Sequence, residues 1–310
     1  MADIGPEGVL AREEEGRTRA AAASIAAGIA TLAGGIASTL VSQQLPDDPA
    51  DVVTLLPALS DGLQGNELPQ GILAKQVDWI GEHVLAQAAG GVLVALASLL
   101  MLIPLRYLFL AIQARNPKLG RGGIIATVVG TMLSGVGFLV YTIAFSIEAR
   151  EFANAEVQTS GAARDAISSG VVQAATLIYQ LGRFGLPLAL VILSLNAMRV
   201  GLLTRFFGIL GILSGVLLVL PIDQPGIIRS FFFIALGLLL LGRWMGGRPP
   251  AWNSAEAQPW PSQQELRERR ETLRRGEDPD SVPAEDPSDP RGEEEDAGPA
   301  TRSRKRRKRR

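Results

Sequence analysis

Six apolar runs, nearly free of charge, dominate the chain between Ala20 and Trp244. A run of about 20 such residues can cross the hydrocarbon core of a bilayer. In that core each segment must satisfy its own backbone polar groups, which makes runs of this kind helices. They cover 20–41, 84–112, 122–147, 171–198, 206–222 and 227–244. The expected fold class is all-α: a polytopic six-transmembrane-helix bundle over 20–246. A cytosolic segment, 1–19, precedes it, and a disordered, charged cytosolic tail, 247–310, follows. The last two runs are short. Pro221-Ile-Asp-Gln-Pro-Gly226 between them supplies turn residues, so they read as a tight helical hairpin.

Composition narrows the chemistry. Hydrophobic residues make up 47% of the 310 residues, and mean hydropathy is +0.21 despite a polar tail. With no cysteine, disulfides, thiolate metal sites and cysteine nucleophiles are excluded. A single histidine, His83, argues against a histidine-built metal site or a Ser-His-Asp triad. No Walker A, G-x-G-x-x-G, H-E-x-x-H or G-x-S-x-G pattern is present, and no pair of intramembrane aspartates. No catalytic residue, metal or cofactor is expected, and the chain reads as non-enzymatic.

Arg12, Arg17 and Arg19 precede the first run as they would a signal peptide. That run is longer than a signal h-region, and no clean cleavage site follows, so a retained helix is expected. Orientation follows from lysine and arginine in short loops. With the N-terminus in the cytosol, Arg12, Arg17, Arg19, Arg115, Lys118, Arg121, Arg199, Arg205, Arg243 and Arg248 lie inside. Only Lys75, Arg150 and Arg164 fall in outer loops, with Arg229 at an outer helix end. Both termini are therefore expected in the cytosol of a bacterial cell. In the outer loop 42–83, Val52, Leu55, Leu56, Leu59 and Leu63 recur at helical spacing, and a helix capping the bundle is expected there.

Helices in lipid associate through small residues. Ala26, Ala30, Gly34 and Ser38 form one smooth face on the first run, and Thr127, Thr131 and Gly135 another on the third. Gly211 and Gly215 make a G-x-x-x-G, which suits packing within the bundle and could also support self-association. Pro104 and Pro187 each remove a backbone donor inside a run.

The fourth run carries the most telling residue. Arg183 stands near the middle of an otherwise uncharged stretch, where a cation costs about 2.5–3.5 kcal/mol on insertion scales. Gln173, Thr176, Gln180, Arg183, Pro187 and Ser194 share one helix face, and Tyr179 is one turn before Arg183. No run holds a carboxylate in its core; Glu82, Glu148 and Asp223 lie at outer ends. Arg183 is therefore either satisfied within the protein or paired by a ligand's anion, which its planar fork would grip bidentately. Arg183, Gln180, Tyr179, Gln173 and Thr176 form the candidate ligand-binding set.

In the tail, Ser262-Gln-Gln-Glu265 is a capping-box pattern, and a short helix is expected over 263–275. An acidic block, 277–296, precedes the terminal run RSRKRRKRR. Its Arg302, Arg304, Lys305, Arg306, Arg307, Lys308, Arg309 and Arg310 suit an anionic surface. Anionic lipid of the inner leaflet ranks ahead of the tail's own acidic block and of nucleic acid.

The segment Asn196-Ala-Met-Arg-Val-Gly-Leu-Leu-Thr-Arg-Phe-Phe-Gly-Ile-Leu-Gly211 resembles a stretch of uncharacterised multipass membrane proteins of GC-rich bacteria. The resemblance covers the fourth to sixth runs and implies a six-helix membrane module without an activity. Two functional expectations follow. One is a membrane scaffold or regulatory module whose polybasic tail engages anionic surfaces. The other is binding or transport of a small anion or lipid headgroup at Arg183.

Overall fold

The computed structural model describes residues 5–46, 72–156, 158–220, 223, 225–260 and, in the tail, 267, 271, 273 and 274. The chain divides into two compact units, Met1–Trp260 and Pro261–Arg310. Among the described residues of the first unit all regular structure is helical. The four described residues of the second unit are helical and exposed. The rest of the helix expected over 263–275, the basic run 302–310 and the helical spacing at Val52–Leu63 lie outside the described residues.

The helices are α1 (Pro6–Gln43), α2 (Ile72–Glu82), α3 (Val84–Arg115), α4 (Arg121–Ala153), α5 (Ser160–Ile167), α6 (Gly170–Arg199), α7 (Arg205–Val219) and α8 (Ile227–Leu240). Four of them, α1, α3, α4 and α6, are long and apolar enough to cross a membrane by length and composition. With α7 and α8 they match the six apolar runs, and hydroxyl caps mark several starts. Ser169 accepts from the Val172 amide at α6, and Thr204 from the Phe207 amide at α7. The helices continue through Pro104 and Pro187.

The six principal helices pack as a closed antiparallel ring. Each lies on its neighbour in chain order, and α8 returns to α1. Small residues set the seams. A Cβ on Gly182 would come within 2.1 Å of the Ser134 amide nitrogen, and one on Gly130 within 2.4 Å of the Gly185 carbonyl carbon, so α4 and α6 touch backbone to backbone. Ser24 donates to the Phe233 carbonyl (2.6 Å) and Ser230 to that of Gly28 (2.7 Å), tying α1 to α8. Most other buried hydroxyls bond back to their own helix, as Thr31 does to Ala27 and Ser98 to Val94. The outward faces are apolar. Leu177, Leu181, Phe184 and Leu188 on α6 are all more than half exposed, as a membrane-embedded bundle requires.

Several features depart from the sequence reading. Helix α1 begins at Pro6, so most of segment 1–19 is helical and α1 runs roughly 57 Å at 1.5 Å per residue. The two longer connections, α1 to α3 and α4 to α6, contain helices not expected from periodicity, α2 and α5. They pack Ala74, Val77, Ile80 and Ala163 against Ala149 and Phe152 at the end of α4. Residues 247–260 belong to the first unit and not to the tail.

That last segment is folded because the bundle gives it a partner. Ala251 and Trp252 are buried. The indole N–H of Trp252 donates to the Leu202 carbonyl (2.9 Å), and that of Trp260 to Leu203 (2.8 Å). The Gln258 amide donates to Val200, and Gly201 (φ 80°) leaves room for the Gln258 carbonyl, which a Cβ would meet at 2.0 Å. Arg115, counted among the arginines of the inner loops, is buried beneath this segment. It pairs with Glu13, donates to the carbonyls of Ala111, Ala251 and Ser254, and lies 5.8 Å from the Trp252 ring. Tyr107 stacks on Trp252 and donates to the Glu13 carbonyl. One end of the bundle is thus clasped by α1, α3 and the 250–260 segment.

Candidate functional site

The ring has four long walls and two short ones, and the site follows from that difference. At 1.5 Å per residue, α7 and α8 rise only about 22 Å, against roughly 45 Å for α6. Gly211 packs on Ser194, and Gly215 on Pro187 and Leu190. Continuing that antiparallel pairing by one turn brings the end of α7 level with Arg183 in mid-α6. On the other side Gly35 of α1 lies against Pro225, where a Cβ would meet the carbonyl oxygen at 2.1 Å. Pro225 therefore lies well short of the C-terminal end of α1, and the end of α7 well short of the N-terminal end of α6.

Above the tip is a cavity of about 400 Å³. Its walls include Ser38, Thr39 and Ser42 of α1, Val94 and Ser98 of α3, and Ser134 and Phe138 of α4. Tyr179 and Arg183 of α6 and Leu217, Leu218, Leu220, Asp223 and Arg229 of the hairpin complete it. Below, the ring is filled by packed side chains that include Met101, Leu105, Leu186, Leu190, Phe232 and Phe233, each at most 1% exposed.

Two guanidinium groups thus line one cavity. Arg183 has no hydrogen bond or ion pair among the described residues. The Nε of Arg229 is buried without a hydrogen-bond partner. Gly226, in the left-handed region (φ 70°), lets Arg229 fold back over the turn, where a Cβ would stand 3.0 Å from its Nη2. Asp223, by contrast, is engaged: its carboxylate accepts long bonds (3.4 Å each) from the amides of Ile228 and Arg229 at the start of α8. With Asp223 ionised, the described lining carries one net positive charge.

The other walls are mixed. Phe138 and Tyr179 meet at 4.9 Å between centroids and form an aromatic side, with Tyr141 behind them. The hydroxyls of Thr39, Ser42, Ser98 and Ser214 bond to their own helices. Those of Ser38 and Ser134 make no such bond among the described residues.

Of the residues singled out by spacing, the structure brings Arg183 and Tyr179 into the cavity and leaves the others out. Gln180 and Gln173 are exposed, Gln173 bonding to the Ser168 carbonyl, and Thr176 bonds to Val172. The reason is rotational. At about 100° per residue, Gln180 stands some 60° from Arg183 toward the Leu177–Phe184 lipid face, whereas Tyr179 stands about 40° the other way. The six-residue stripe is a tilted border, and the cavity takes only its inner edge. Ser194 and Gly211 are buried against each other, and the Gly211/Gly215 face proposed for self-association is covered by α6 of the same chain. Sequence reasoning missed Arg229. It falls beside a turn and reads as an outer-end charge until the hairpin's short rise is known.

No family model matches the chain, and neither a curated protein nor a solved structure matches it.

Proposed function

We propose that the protein is a non-enzymatic, six-span protein of the bacterial cytoplasmic membrane, with both termini in the cytosol, that binds an anion in the Arg183 cavity. The observation that carries this reading is a pair of guanidiniums, Arg183 and Arg229, lining one cavity, with the Arg229 Nε buried and unpaired. A buried donor left without a partner costs about 1–3 kcal/mol, more when charged, and a bound anion would recover that cost. Non-helical backbone at membrane depth is tolerated where it lines a cavity, as Asp223 does here. Packed side chains beneath the cavity favour binding over passage.

Thermal unfolding of the detergent-purified protein against a panel of anions tests this. A ligand of the folded state raises the midpoint in proportion to its saturation. The expected result is a shift for wild type that Arg183→Gln abolishes. An equal shift in both proteins would reject the cavity as the site.

A second reading gives the basic run 302–310 a role at anionic lipid. It is favoured by the clasp at 250–260, which fastens the root of the tail to the inner end of the bundle, where such lipid would be met. Equal binding of the tail to neutral and anionic liposomes would reject it.

A further inference from the structure

We infer that the ligand of this cavity is an amphiphilic monoanion: a carboxylate or phosphodiester head carrying an apolar body. The inference rests on the anion-binding reading and specifies its ligand class.

Charge sets the head. Two guanidiniums are opposed by the Asp223 carboxylate, which is held at the start of α8 by two backbone amides. The surplus of one positive charge complements one negative charge. A dianion would leave a negative charge uncompensated beside Asp223. Both carboxylates and phosphodiesters offer a guanidinium two oxygens at the spacing of its fork. The hydroxyls of Ser38 and Ser134 can donate to the same head.

Shape and polarity set the body. About 400 Å³ is within the range of cavities that hold organic ligands and far exceeds the needs of a lone inorganic anion. The walls are mixed: Val94, Phe138, Leu217, Leu218 and Leu220 stand among serine and threonine hydroxyls, and an inorganic ion would leave those five apolar side chains in contact with water. Each methylene buried there strengthens binding by roughly four-fold.

The experiment is a thermal-unfolding titration of the full chain in non-ionic detergent. Acetate and inorganic phosphate serve as heads without a body. Octanoate serves as a free amphiphilic carboxylate, dihexanoyl phosphatidylglycerol as a lipid phosphodiester, and dihexanoyl phosphatidylcholine as its zwitterionic counterpart. Octanoate, phosphatidylglycerol or both should raise the midpoint at concentrations at least roughly ten-fold below acetate and phosphate. Whichever does so identifies the free acid or the lipid as the source. Phosphatidylcholine should be inactive. The shift should weaken by roughly ten-fold or more in Arg183→Gln and Arg229→Gln. If Arg229→Gln does not purify folded, Arg229→Lys replaces it, keeping the charge and losing the fork.

Acetate or phosphate acting as potently as the amphiphiles would overturn the inference and leave anion binding intact. Phosphatidylcholine matching phosphatidylglycerol would overturn it by removing the role of charge. No response to any anion would overturn both the inference and the function it rests on.

Discussion

Single arginines carry most of what this chain conceals. Arg183 is legible because a charge in the middle of an apolar run is costly and must find a partner, within the protein or on a ligand. Arg115 and Arg229 are not, because each ends an apolar run, where arginine ordinarily meets headgroups or water. Only the fold reveals that Arg115 is buried, with its side chain 0% exposed and paired to Glu13. Removing one partner of a buried pair leaves a stranded charge, at a cost of about 3–5 kcal/mol. Glu13→Ala is therefore expected to lower the detergent melting midpoint sharply, whereas Glu13→Gln, which keeps an acceptor, should cost less. A midpoint unchanged in Glu13→Ala would show that the three carbonyls around Arg115 suffice. On α6, neighbouring residues should behave oppositely. Tyr179→Leu removes a cavity wall and should weaken anion stabilisation, while Gln180→Leu on the lipid side should change both stability and binding little, within about 0.5 kcal/mol. The helix face holding both was readable from spacing; which edge of it faces inward was not, because that depends on the rotation α6 adopts against α4.

At the level of elements, the helix cores are where hydropathy places them, since apolar run length is what the bilayer constrains. The ends are not. The extension of α1 from Pro6 carries too many charges to look like part of a span, yet it continues the same helix and delivers Glu13 to Arg115. The 247–260 segment is rich in proline and polar residues and has little apolar surface of its own. It folds because loop 200–203 offers carbonyls and a floor for two indoles. Trp252→Ala should accordingly cost about 3–5 kcal/mol, as large aromatic truncations do in packed sites. The same logic predicts that ending the chain after Trp260 leaves the melting midpoint near that of the full protein, and that ending it after Gly246 lowers it. Equal midpoints for the two truncations would place the clasp outside the folding unit. Hairpin seating can be tested at Gly35, where Gly35→Leu must push against the Pro225 backbone. That substitution should abolish anion stabilisation even though no polar group is lost.

For the whole molecule, an absence of cysteine is an experimental convenience, because any introduced thiol is unique. In the six-span reading, Ser42 at the end of α1 and Ser254 in the clasp face opposite compartments. Ser42→Cys in intact inverted and right-side-out vesicles should react with an impermeant maleimide from the outer side only, and Ser254→Cys, if reactive, from the inner side only. Labelling of both from one side would reject that topology. The ring order itself could be anticipated from alternating spans and short connections, since antiparallel neighbours need only short links. Closure of α8 on α1 could not, as it depends on the paired glycines and serines at Gly28, Gly35, Ser24 and Ser230.

Two short members in a ring of six also bear on the surrounding lipid. Bilayer hydrocarbon is about 30 Å thick, and a wall of about 22 Å leaves it unmatched on that side by several ångströms. Along the α7–α8 flank, outer-leaflet tails would border a polar turn in place of apolar helix. In the six-span reading the membrane would dip toward the tip, bringing headgroups closer to the depth of Arg183 on that flank. A molecule already residing in that leaflet would travel a shorter distance to the two guanidiniums than one arriving from the aqueous phase.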